Sequence, residues 1–172
     1  MKLIGMSPRN RRRGGQSLIE FTLMGIPMVF VTISVVYVSI GMWQFHSLAY
    51  ASEMTARYVS VHGATCAANG NTCTITVGNV ATFFSTQAMA LDASKVIVQM
   101  KDGSGTTTCN PVNSCNSTAT QFPSASYNSV GSDITITATY GVKSPLAMFW
   151  PPDIDWAHDY TVGAQSRQRI MF

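Results

Sequence analysis

Hydrophobic and polar positions divide the chain into a long apolar opening and an alternating, more polar remainder. From Phe21 to Trp43, "FTLMGIPMVFVTISVVYVSIGMW", there is no charged residue. At ~1.5 Å per residue a helix of that run reaches roughly 35 Å, enough to cross a hydrocarbon core of about 30 Å. A buried core helix rarely stays uncharged on every face for such a length, so the pattern predicts a transmembrane segment over about 21–43. The helical period continues past it. In "QFHSLAYASEMTARYVSVH", Phe45, Leu48, Ala49, Ser52, Ala56 and Val59 fall on one stripe, and Glu53 and Arg57 form an i,i+4 pair in the favourable order. Gly63 is a candidate stop. One helix is therefore expected over 16–62, interrupted in its hydrogen bonding at Pro27, where a kink is expected.

Beyond the helix the pattern changes. "CAANGNTCTITV" reads as a small hairpin turning at Asn69-Gly70. "NVATFFSTQAMALD" carries Val80, Phe83, Phe84, Ala88 and Leu91 at helical spacing, and "SKVIVQMK" reads as a short strand. Residues 103–132 are rich in Gly, Ser, Thr and Asn and predict a long irregular loop. "SDITITATYGV" alternates with Ile134, Ile136, Ala138 and Tyr140 on one face; "SPLAMFWPPDIDW" is an apolar connection broken by prolines, and "HDYTVGAQSRQRI" supplies a last strand. The fold class expected is α+β: a long N-terminal transmembrane helix continuing into a small extracytoplasmic domain, 63–172, in which a second helix packs on an antiparallel sheet.

Charge and cysteines give this layout an orientation. Lys2, Arg9, Arg11, Arg12 and Arg13 precede the span and only Arg57 lies close behind it, which predicts a cytoplasmic N-terminus and an exported bulk. The net charge of +3 comes from that arm, which lacks interleaved aromatics, so it is not read as a nucleic-acid signal. Of the four cysteines, Cys66 and Cys73 flank "AANGNT" and Cys109 and Cys115 flank "NPVNS". Two short-loop disulfides are expected in an oxidising compartment; the spacings do not match the usual zinc pattern, and no His lies near either pair.

The segment "RRRGGQSLIEF" puts basic residues, two glycines and the lone carboxylate Glu20 at the lip of the span. A basic leader, a glycine, a carboxylate five residues further on and then an apolar helix resemble a type IV prepilin processing site. The cut falls between Gly15 and Gln16, and Glu20 becomes the fifth residue of the mature chain. Glycine lets a protease approach the backbone closely. A glutamate in lipid is costly unless paired, and cleavage creates an α-ammonium at nearly the same depth, so an ammonium on one subunit can pair with Glu20 of its neighbour. Together with "SLAYASEMTARYVSVHG", which contains Ala56, Arg57 and Tyr58, the stretch resembles the TadE family of tight-adherence pilus proteins. The first sixty residues carry nearly all of the likeness; the outer part matches only in layout, and the cysteine pairs are not part of the pattern. The resemblance implies a pseudopilin or minor pilin in the inner membrane that acts in pilus assembly without a catalytic role. Its partners would be a prepilin peptidase, other pilins and pseudopilins, an inner-membrane assembly platform and the lipid bilayer, with no cofactor and no nucleic acid. Residues 1–15 would be the leader.

Rival readings have residues of their own. Ala49-Tyr50-Ala51 offers a signal-peptidase site, but the apolar run exceeds the usual ~7–15 residues and the helical stripe continues through it. An uncleaved, membrane-anchored protein needs no processing site at all. Asp153, Asp155, His158 and Asp159 in "DIDWAHD" form the best cluster for an anchored enzyme, but a solvated loop after Pro151-Pro152 is the favoured reading of them. No G-x-S-x-G, H-E-x-x-H or phosphate-binding glycine loop occurs. A major pilin is disfavoured by the full outer domain, and a type II secretion pseudopilin by Gln16, where an aromatic is usual.

Overall fold

The computed structural model describes residues 14–66, 73–142 and 160–171. Helix α1 spans Gly14–Ser60 with Pro27 inside it, followed by α2 (Val77–Gln87), β1 (Val96–Lys101), β2 (Thr106–Cys109), β3 (Asp133–Val142) and β4 (Tyr160–Arg169). The class is α+β. The chain divides into two compact units, residues 1–39 and 40–172.

Within the first unit, α1 exposes apolar side chains on all sides, among them Leu18, Phe21, Leu23, Met24, Met28, Val31, Val35 and Val38. Four of its hydroxyls turn back onto the helix. Thr32 Oγ1 donates to the Met28 carbonyl at 2.9 Å, and Ser34 and Ser39 donate to Phe30 and Val35, each at 2.8 Å. Thr22 donates to Leu18 and, more weakly, to Ile19. These four hydroxyls thus find partners without water.

The second unit begins with the remainder of α1. Here Leu48, Ala51, Ser52, Thr55, Ala56, Val59 and Ser60 are buried. The buried stripe is rotated from the one expected: Phe45 is exposed and Ala49 half-buried, because the core covers only the side bearing Ala51 and Thr55. Glu53 and Arg57 form the expected ion pair at the surface. The helix ends before Gly63. His62 N bonds to the Val59 carbonyl, tightening the last turn, and Met171 N caps the Ser60 carbonyl at 3.0 Å.

The turn of the expected hairpin, Asn69-Gly70, lies outside the described residues. Thr76, after it, bridges Gln121, flanked by bonds from Phe122 N to the Ile75 carbonyl and from Val77 N to the Thr120 carbonyl. Thr76 is held there because it caps α2: its Oγ1 accepts from Asn79 N at 3.2 Å, and Asn79 Oδ1 accepts from Thr76 N at 3.4 Å. The cap starts α2 two residues before the apolar stripe suggests. Gly78 is needed at this start. A Cβ there would lie 2.6 Å from the Asn116 carbonyl oxygen and 3.0 Å from that of Thr118.

The sheet is antiparallel throughout, in the order β2-β1-β3-β4. Alternation explains its inner face: Val96, Val98 and Met100 of β1 and Ile134, Ile136, Ala138, Tyr140 and Val142 of β3 are buried. Register places Met100 opposite Ile136 and Val98 opposite Ala138. These side chains form one core with Leu48, Val59, Val77, Val80 and Phe84. Residues 103–132 are more ordered than a loop. They contain β2 and short 3-10 turns at Val112–Cys115 and Ala125–Tyr127. The sequence hid β2 because only Cys109 of "TTTC" is buried, so an edge strand shows no apolar alternation. Cys66 is bonded to Cys73 and Cys109 to Cys115. The connection 143–159 lies outside the described residues.

Candidate functional site: the start and surface of the apolar helix

Gly14, Gly15 and Gln16 form the first turn of α1, so the candidate cleavage point Gly15–Gln16 is already helical. Gly15 is exposed, and a Cβ built on it would meet nothing within 4 Å. Glu20 lies four residues after Gln16, about one turn along the helix, and is exposed. The structure thus brings Gly15, Gln16 and Glu20 together on the opening turns of one helix. The basic residues Lys2 to Arg13 lie outside the described residues.

From Ser17 onward α1 is long and apolar enough to cross a membrane, with a mean hydropathy of 2.2 in its best window and none of that window buried within the protein. A helix so exposed and so apolar, with the hydroxyls of Thr22, Thr32, Ser34 and Ser39 satisfied internally, suggests a single-pass membrane anchor. The two disulfides fit an extracytoplasmic outer unit. The cysteines belong to that unit and lie far along the chain from Gly15 and Glu20; they brace loops. Cys109–Cys115 ties the end of β2 to the following 3-10 turn, and both residues are buried.

Among the described residues the outer unit shows two shallow grooves. One, of about 520 Å³, lies between Tyr58, Phe83, Thr82 and the Asn116–Thr118 backbone, with the Tyr58 and Phe83 rings stacked at 4.3 Å. The other, of about 440 Å³, lies on the polar outer face of the sheet beside Gln99, Lys101, Thr137, Gln165 and Arg167. At its end Asp133 accepts from Arg167 at 2.6 Å and from Arg169 at 3.3 Å; these bonds hold the Asp133 carboxyl below its usual range.

Asp102 escaped the sequence reading. It is buried at the turn between β1 and β2. Its Oδ1 accepts from Ser104 N at 2.9 Å, Ser104 Oγ at 2.5 Å and Gly105 N at 3.1 Å, while Oδ2 accepts from Ser124 N at 2.8 Å. Burial raises its pKa, but the bonds from the Ser104 hydroxyl and the Ser124 amide outweigh that and bring it from 3.8 down to about 2. The signal was present in "DGSG", a carboxylate followed by turn residues whose amides it can collect. Asp102 is thus a structural anion that ties the turn to the segment before Ala125.

The cluster Asp153, Asp155, His158 and Asp159 lies outside the described residues. Among the described residues no group of three His, Cys, Asp or Glu side chains is placed to hold a metal ion. His62 Nδ1 sits 2.5 Å from the Tyr58 carbonyl and its ring packs on Tyr58, while His46 is exposed on α1. Compared with known proteins, the chain matches no family model, no curated protein and no solved structure.

Proposed function

We propose that this chain is a pilin-like subunit, a pseudopilin or minor pilin of the tight-adherence type. In this reading α1 anchors it once in the inner membrane, with the N-terminus cytoplasmic and the outer unit extracytoplasmic, and a prepilin peptidase cuts between Gly15 and Gln16. The observation that carries the reading is the layout of one helix. An unobstructed glycine, a carboxylate five residues on and a continuous apolar surface follow one another in that order. The resemblance of residues 11–31 and 47–63 to TadE-like proteins supports the same assignment. The role is structural, with no catalysis assigned. After cleavage the new ammonium of one subunit pairs with Glu20 of the next, which compensates both charges in lipid and sets the register of assembly. Other pilins and an inner-membrane assembly platform are the partners of that step.

One observation favours a second reading, an uncleaved anchored protein: the peptide bond to be cut lies inside the first turn of α1, where a protease must unwind it. Replacing Gly15 with Phe separates the two. The open space around Gly15 means the change leaves the helix undisturbed. In cells that assemble the pilus, the proposal predicts a longer, uncut G15F chain beside a shorter wild type. Equal lengths would support the uncleaved anchor.

A further inference from the structure

Strand alternation buries Met100 and Ile136 and so sends their neighbours Lys101 and Thr135 to the outer face of the sheet. Register sets Thr106, Lys101, Thr135 and Arg167 in one row straight across the four strands. Thr108, Gln99, Thr137 and Gln165 form the next row on the same face. The groove of about 440 Å³ is lined from both rows, and none of its lining side chains is aromatic or large and apolar. The strands at this end run on into Asp102, Ser132 and Ile170, all among the described residues.

Charge is unevenly shared here. Lys101, Arg167 and Arg169 face two carboxylates, and one of these is already occupied: Asp102 is buried and its oxygens accept from Ser104, Gly105 and Ser124. Asp133 accepts one bond from each arginine and thereby orients both guanidiniums. A guanidinium carries five N–H donors, so each keeps others for a ligand. Lys101 makes no ion pair among the described residues, whereas Arg57 is paired with Glu53 and Lys95 with Asp92.

We infer that this face binds an extended acidic polysaccharide, a carbohydrate polymer that bears carboxylates. The oriented guanidiniums and the unpaired ammonium take the acids. Threonine hydroxyls and glutamine amides donate and accept hydrogen bonds, which is what sugar hydroxyls require. Lys101 and Arg167 stand two strands apart, roughly 10 Å between their backbones, and offer a polymer laid across the strands two separate charges. Single-stranded nucleic acid is held by stacking on aromatic side chains, which this groove lacks. An acidic peptide would need pockets for its side chains, and the shallow polar surface offers none. The inference needs only the folded outer unit and is independent of the anchor and of cleavage at Gly15.

The test uses the full chain in non-ionic micelles over immobilised alginate, a polymer of carboxylated sugars, with neutral dextran and polyglutamate beside it. Alginate should be bound with an affinity that falls as salt rises, dextran should not be bound, and polyglutamate should bind at least tenfold more weakly. Lys101→Gln combined with Arg167→Gln should weaken alginate binding about tenfold or more. Lys95→Gln removes the same charge about 20 Å away along β1 and should leave binding unchanged. Absence of alginate binding, equal binding of dextran, or an unaffected double variant overturns the inference. An equal loss in Lys95→Gln overturns it too, because net charge alone would then explain the binding. Polyglutamate bound as tightly as alginate would assign the face to an acidic peptide instead. Should the double variant not fold, Lys101→Gln alone, which breaks no ion pair, must still weaken alginate binding; unchanged affinity overturns the inference.

Discussion

Replacing Asp102 with Asn removes a charge while keeping one acceptor oxygen. In the native protein four donors converge on this buried carboxylate, from Ser104, Gly105 and Ser124. Lowering its pKa from 3.8 to about 2 corresponds to roughly 2.4 kcal/mol at ~1.36 kcal/mol per unit, which solvent screening at the surface turn reduces to about 1–2 kcal/mol. Because the folded-state pKa is depressed, this stabilisation is fully present above pH ~4 and is lost as pH falls toward ~2. Asp102→Asn is therefore expected to cost about 1–2 kcal/mol at neutral pH and almost nothing near pH 2. Asp102→Ala, which also strands the Ser124 amide, should cost about 2–3 kcal/mol. Urea unfolding of the full chain in non-ionic micelles, with disulfides intact and near-ultraviolet circular dichroism as the signal, measures the difference at each pH. Asp92 and Asp133 also have lowered pKa values, but they titrate in both proteins and cancel. A wild-type-minus-variant difference that stays constant between neutral and acid pH would refute the reasoning.

Gly78→Ala should destabilise the outer unit by about 1–3 kcal/mol in the same assay, since its Cβ meets the Asn116 and Thr118 carbonyl oxygens; a neutral effect would mean the loop yields freely. Cys109→Ser with Cys115→Ser should cost roughly 2–3 kcal/mol, and peptide mapping without reduction should recover the Cys66–Cys73 and Cys109–Cys115 fragments joined; free thiols or a Cys66–Cys109 link would reject the pairing. Glu20→Gln should insert and be cut like wild type yet lose piliation and crosslinks to partner pilins, and normal piliation would reduce Glu20 to an interfacial residue.

Elements whose side chains meet one environment per face were legible in the sequence. The all-round apolar run gave α1, and strict alternation from Ile134 to Tyr140 gave β3. Elements that depend on neighbours were not. β2 is an edge strand of threonines, and only its register against β1 identifies it. The Ile75–Thr76 segment pairs with 121–122, far off in sequence, a partner that no local pattern announces. The stripe on α1 was misplaced by part of a turn because periodicity fixes a spacing and not which side the core covers. Of the candidate site, the order of Gly15, Gln16 and Glu20 could be read directly. The close approach of Tyr160 to Gly41 could not, since it joins the helix to a strand that begins more than a hundred residues later.

The central claim is that Gln16 becomes the first residue of the working protein. Intact mass and N-terminal sequencing of the chain extracted from membranes of pilus-assembling cells test it directly. The account predicts a species starting at Gln16, lacking residues 1–15 and lighter by the hydrogens of two disulfides. A species that retains Met1 to Gly15 would contradict it.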